Sequence, residues 1–219
     1  MKRISKSVVL SAIVLSIISS GFVGCKKGDK DPFISLRSRK ARVVGDWKVS
    51  KYTSSTASVS GGGSTSTDSY SFDGSTFTET YTSSGSTSTN VAVGTWTYKF
   101  EKDGKYSMSS ASTQSGNTSS YTESGTWNFT GGIGKDVKKK SQIVLTTLST
   151  TRSTSGGTTY SNSDTYTGAD APIQILQLVE LRNKEMIIKM DGSNVSVSVY
   201  SGSSSTSSDN TTAEMTLKQ

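Results

Sequence analysis

Gly45-Asp46-Trp47-Lys48-Val49 decides the fold, because its phrase returns as Gly94-Thr95-Trp96-Thr97-Tyr98 and as Gly125-Thr126-Trp127-Asn128-Phe129. The phrases hold all three tryptophans of the chain. In a strand, side chains two places apart share a face, so Trp47 and Val49, or Trp127 and Phe129, point the same way. An aromatic of that size needs close packing on a large apolar area. A glycine two places upstream lets the chain bend, or lets a neighbouring backbone or ring come near. Gly45, Trp47, Gly94, Trp96, Gly125 and Trp127 are therefore read as the structural anchors of three strands. Around Gly94 the pattern adds a twist. Val91 and Val93 are odd-numbered, whereas Trp96, Tyr98 and Phe100 are even. A bulge or sharp bend at Gly94-Thr95 is expected to switch the apolar face.

Downstream of the first phrase, 23 of the 39 residues from Tyr52 to Asn90 are Ser or Thr. Such a composition invites a reading of disorder, but Tyr70-Ser71-Phe72 and Phe77-Thr78-Glu79-Thr80-Tyr81 alternate cleanly across Asp73-Gly74, a strong hairpin signal. The expectation is a Thr/Ser-clad antiparallel sheet joined by loose Gly/Ser loops. Trp96 to Phe100 turns through Asp103-Gly104 into Tyr106-Ser107-Met108, and a Ser/Gly loop leads to Tyr121–Phe129. Lys138-Lys139-Lys140 reads as a solvated turn before Ile143-Val144-Leu145. Ile173–Leu181 and Met186–Met190 flank a turn at Arg182-Asn183-Lys184. Asp191-Gly192 then leads into Val195-Ser196-Val197-Ser198-Val199, and Met215-Thr216-Leu217 closes the chain. Nine to eleven strands follow from this pattern. Their sequential hairpins favour an all-β, antiparallel up-and-down meander whose closure removes exposed edges.

Upstream lies a targeting segment, residues 1–24. Lys2, Arg3 and Lys6 precede an apolar run from Val8 to Val23, shorter than the roughly 20 residues a spanning helix needs. It ends in Phe22-Val23-Gly24-Cys25, similar to the lipobox of bacterial lipoproteins. Cys25 is the only cysteine, so it cannot close an internal disulfide, and lipidation accounts for it. Acylation at Cys25 would anchor the mature chain to a membrane, since each buried methylene contributes roughly 0.8 kcal/mol. Residues 25–32 form a tether. Nine Lys or Arg face three Asp over residues 26–51, an excess suited to anionic head groups. Nucleic acid is excluded as the partner of an exported chain. Phe33–Ala41 carries few strand signals and is expected to form a short helical cap on a domain spanning 33–219.

The chain holds no histidine, so nucleophile–base pairs built on His and Cys/His metal sites are excluded. Glu79 shares a strand face with Phe77 and Tyr81, and Glu123 sits two places after Tyr121, so either could face a cavity; exposed sheet positions are the expectation, and nothing pairs two carboxylates as general acid and base. No glycine-rich phosphate loop opens a helix. The expectation is no catalytic residue, no metal, no cofactor and no enzymatic activity.

The lipobox, the short cap, Gly-x-Trp opening the first strand, the later Gly-Thr-Trp phrases and Leu181-Arg182-Asn183-Lys184-Glu185-Met186 together resemble the lipocalin-like lipoproteins of Bacteroidetes-type bacteria, over residues 33–219. The resemblance implies a lipocalin-like barrel or half-barrel, tethered to the outer membrane, that binds or carries a small hydrophobic ligand. A different class stays open: a surface adhesion or structural module whose Thr/Ser faces and tyrosines contact glycans or a partner protein. The direction of Tyr70, Tyr81 and Tyr160 separates the two, inward for carriage and outward for adhesion.

Overall fold

The computed structural model describes residues 37–60, 63–130, 141–156, 158–200 and 203–219, with the side chains of 193–200 and 203–207 left aside. The targeting segment, Cys25 and the Lys138–Lys140 turn lie outside the described residues.

A five-residue helix, α1 (Arg39–Val43), opens the described chain; the Ser38 hydroxyl caps it by accepting from Ala41 N. It falls across the end of the segment expected to be helical. Eleven strands follow: β1 (Gly45–Val59), β2 (Thr65–Phe72), β3 (Thr76–Ser83), β4 (Ser86–Phe100), β5 (Lys105–Gln114), β6 (Asn117–Thr130), β7 (Gln142–Ser155), β8 (Tyr160–Thr165), β9 (Ile173–Leu181), β10 (Glu185–Tyr200) and β11 (Ser203–Lys218). All pair antiparallel. Ten close into a barrel through β1–β11 on one side and β6–β7 on the other, while β8 is an extra strand on the upper half of β7.

The ring has two widths. At its base, Gly45–Lys48 of β1 pairs directly with Thr97–Phe100 of β4, which leaves the β2–β3 hairpin out of the circuit there. Eight strands close that end. Higher up, β2 and β3 wedge between β1 and β4, and the barrel flares. The large apolar side chains collect in the narrow end, where Trp47, Phe100, Trp127, Ile143, Leu145, Leu181, Met186, Ile188 and Leu217 are all buried. α1 sits at this end: Arg42 Nη1 donates to Leu181 O, and Lys40 Nζ lies 5.7 Å from the Trp127 ring centroid. In the wide end the described inward positions are mostly polar, with Ser and Thr the commonest.

Three sequence expectations need correction. The apolar face does not switch phase at Gly94. β4 runs unbroken in register with both β3 and β5, so Val91 and Val93 point outward and are 51% and 64% exposed. Gly94 faces inward with Trp96, and the glycine is needed for close approach. A Cβ built there would stand 2.0 Å from Ala111 O and 2.6 Å from the Phe77 ring. Second, two of the Gly/Ser loops are two-residue turns. Ser84-Gly85 and Ser115-Gly116 have φ of 50° and 80°, and 50° and 81°, the paired positive angles that match strand twist in tight hairpins. Third, Asp191-Gly192 does not divide the strands read at Met186–Met190 and Val195–Val199; β10 runs through both in register with β11.

Candidate functional site

Alternation from the buried base fixes which side chains face the lumen farther up. On β1 the inward set is Trp47 and Val49 and then, after a register shift between Val49 and Lys51, Tyr52, Ser54 and Thr56. Their partners extend the face: Tyr52 opposes Phe72, and Phe72 opposes Phe77. The rings touch in series. Phe72 stacks on Phe77 with centroids 4.3 Å apart, Tyr52 meets Trp96 edge-on at 5.1 Å, and Phe100 meets Trp127 edge-on at 5.5 Å. The spine climbs from buried Trp127 to Tyr52, Tyr70 and Trp96, which are only partly buried. The described tryptophans thus divide by height. Trp47 Nε1 donates to Val43 O at 2.7 Å and Trp127 Nε1 to Glu101 O at 3.0 Å, both within the packed base. Trp96 stands at the boundary where packing gives way to the Ser/Thr-lined lumen.

One carboxylate lies on that boundary. Glu123 of β6 faces inward opposite Met108 of β5 and Thr150 of β7. It accepts hydrogen bonds from Tyr106 Oη, from Tyr121 Oη at 2.9 Å and from Thr147 Oγ1 at 3.0 Å. Three fixed hydroxyls hold the carboxylate in one orientation, and charge-assisted bonds of this kind are the strong ones. The tyrosines record the neighbourhood. Burial first, then the hydrogen bond to Glu123, pushes Tyr121 up to about 12. Tyr106 is raised for the same two reasons, and Tyr98 by burial and then by the Glu123 charge. Tyr70 rises to about 12 through burial and then the Glu79 charge. Above the network, the Arg152 guanidinium carbon lies 5.1 Å from the Tyr121 ring centroid.

The structure brings some expected residues together and separates others. Glu79 and Glu123 lie on the inward face of different walls; Glu79 is exposed, as expected, whereas Glu123 is partly buried, and Glu79 Oε2 accepts from Asn90 at 3.4 Å. Tyr70 and Tyr81 lie on the inward face, Tyr81 47% exposed near the rim. Tyr160 shares the inward side of β8 but is 70% exposed at that strand's edge. Tyr106, Thr147 and Arg152 were not singled out in sequence. They stand 17 to 41 residues from their partners in the network, and a register shift between Ser124 and Gly125 must be known before Thr147 can be placed.

A cavity of about 1030 Å³ takes its lining from both faces of the wall. Asp46, Lys48, Lys99, Ser107, Ser124 and Lys218 are outward by register, and Trp47, Val49, Tyr98, Met108 and Glu123 are inward. Lys99 and Lys218 meet Glu101 at 3.2 Å and Glu185 at 3.9 Å. Among the described residues no group of three His, Cys, Asp or Glu side chains is placed to hold a metal, and no helix is long and apolar enough to cross a membrane. No family model, curated protein or solved structure matches the chain.

Proposed function

We propose that this chain is a lipoprotein, anchored through acylated Cys25 to the outer membrane, whose barrel binds or carries a small hydrophobic ligand without catalysing a reaction on it. One observation carries the binding half of the reading. The lumen is solid at the base but presents part-exposed Tyr52, Tyr70, Trp96 and Met108 above it. Apolar surface of that kind, on a concave wall with a few fixed polar groups, is what small-ligand sites are made of. The site sits in the flared half, so the ligand would rest on an aromatic floor between Ser/Thr walls, not in the filled base. The inward placement of Tyr70 and Tyr81 favours carriage over glycan adhesion.

The anchor and the ligand are tested separately. Cys25→Ala should move the chain from the membrane fraction to the soluble fraction and remove fatty-acid label; a membrane-bound, unlabelled wild-type chain would overturn the anchor. Native mass spectrometry of the chain released from its membrane should show a bound small molecule that Trp96→Ala loses. A preparation that is empty and takes up none of a panel of apolar probes would sink carriage.

A further inference from the structure

Resting on the carriage reading above, we infer that the ligand is an organic cation: a planar apolar body bearing an ammonium group, held between the aromatic floor and the Glu123 carboxylate. The argument starts from how charge is divided across the wall. The chain as a whole is basic, with 24 Lys and Arg against 17 Asp and Glu. Its described strand lysines, such as Lys48, Lys99, Lys105, Lys189 and Lys218, all stand on the outward face by register. The lumen has the opposite sign. Among the described residues, Asp68 and Glu79 lie on the inward face of β2 and β3, Glu123 on β6, Asp164 on β8 and Asp209 on β11, against Arg152 on β7. The segments whose side chains are left aside, 193–200 and 203–207, contain no charged residue, so they leave this balance unchanged.

Carboxylates at a rim do not make a site. The floor supplies the second half of the chemistry. Tyr121 presents a partly buried ring bonded to Glu123. Tyr52, Tyr70 and Trp96 form a second partly buried ring cluster on the inward face of β1, β2 and β4, and an aromatic face attracts a cation through its quadrupole, most strongly where water is thinned. Arg152 already uses this attraction on Tyr121 at 5.1 Å, which demonstrates it within the fold and leaves Tyr52, Tyr70 and Trp96 free of any such contact among the described residues. Glu123 is held in place by donors that are all hydroxyls, so its negative charge is oriented but not neutralised by a cationic partner. A neutral apolar guest would meet the rings alone. An ammonium guest would meet the rings and the field of the carboxylates, which a low-dielectric wall focuses into the lumen.

The test uses the full chain and three naphthalenes that differ in charge: 2-naphthylmethanol, 2-naphthylmethylammonium and 2-naphthoate. Equilibrium dialysis should find the ammonium bound about ten-fold more tightly than the alcohol, a ratio set by one cation–π contact and one nearby charge, with naphthoate weakest. E123Q should bring the ammonium close to the alcohol. NMR cross-relaxation from the probe's methylene protons to Trp96 and Tyr121 ring protons of the wild-type chain should locate the head group, and needs no variant to fold. Equal binding of ammonium and alcohol overturns the cation while leaving carriage standing. Tighter naphthoate overturns it in favour of Arg152. Binding of none of the three overturns carriage and this inference together.

Discussion

Gly125→Ala should cost about 2–4 kcal/mol, far more than its one added methyl suggests. Gly125 faces the lumen two places before Trp127, at the register shift where Thr147 and Ser149 of β7 oppose Gly125 and Ser124 of β6. A Cβ there would stand 2.0 Å from Thr146 O and 2.9 Å from the Tyr106 ring. Ordinary contact begins near 3.4 Å, so the β7 backbone would have to retreat by about 1.4 Å. Retreat strains or breaks a ladder hydrogen bond, about 1 kcal/mol net, and forces the overpacking penalty of about 1–3 kcal/mol for inserting volume into a filled interior. The cost should show in thermal unfolding followed by far-UV circular dichroism. For a chain of this size about 1 kcal/mol moves Tm by roughly 2–4 °C, so the shift should be roughly 5–15 °C downward. Gly94→Ala, with Ala111 O at 2.0 Å and the Phe77 ring at 2.6 Å, should behave alike. Gly192→Ala is the control: nothing lies within 4 Å of its Cβ position and its φ is not positive, so it should be neutral or gain a few tenths of a kcal/mol. If Gly125→Ala and Gly192→Ala melt within 1 °C of each other, the close approach is refuted, and with it the reason for glycine in the Gly-x-Trp phrase.

Trp47→Phe removes the indole donor from buried Val43 O and should cost about 1–3 kcal/mol for the orphaned carbonyl, read in the same melts. Acrylamide should quench Trp96 while Trp47 and Trp127, each 1% exposed, stay protected; uniform quenching of three single-tryptophan variants would contradict the packed base. Alkaline titration should expose the raised tyrosines. Tyr70 and Tyr121, raised to about 12 by burial and neighbouring carboxylates, stay neutral in the fold where the unfolded chain ionises near 10. Their contribution to stability is therefore complete below pH 10 and is lost between pH 10 and 12, visible as tyrosinate absorbance rising together with loss of structure.

What sequence could reveal followed from how local each signal is. The Asp73-Gly74 hairpin was legible because alternation and turn chemistry sit within ten residues; Asp73 Oδ1 accepts from Ser75 N at 2.9 Å and Thr76 N at 2.8 Å, closing the turn as expected. The turn at Arg182–Lys184 was legible for the same reason. The expected phase switch at Gly94 is absent because apolar character does not by itself imply burial. Val91 and Val93 sit on the outer wall of the flare, and valine suits a strand on either face. The Ser84-Gly85 and Ser115-Gly116 turns hid in Ser/Gly-rich surroundings, where nothing distinguishes a two-residue turn from a loose loop. β8 and the Glu123 network depend on which distant strands meet and in what register, which one strand's pattern does not carry.

A chain this rich in serine and threonine can close a barrel because it separates two tasks along the strand axis. At the base, eight strands suffice to close the ring, and most of the fully buried large apolar side chains among the described residues collect there. Above it, the ladder continues with little apolar burial, held by backbone pairing and by cross-strand hydroxyl contacts such as Thr56–Thr211 at 2.9 Å, Thr82–Thr87 at 3.0 Å and Thr151–Ser163 at 3.0 Å. Such pairs contribute a few tenths of a kcal/mol up to about 1 kcal/mol each, enough to keep strands in register but not to fill a lumen. Inward side chains there are mostly small or polar, and β2 and β3 wedge into the ring. Glu123 and the partly buried rings of Tyr52, Tyr70, Trp96 and Tyr121 stand between the two regimes, and it is there that the proposed guest would meet them.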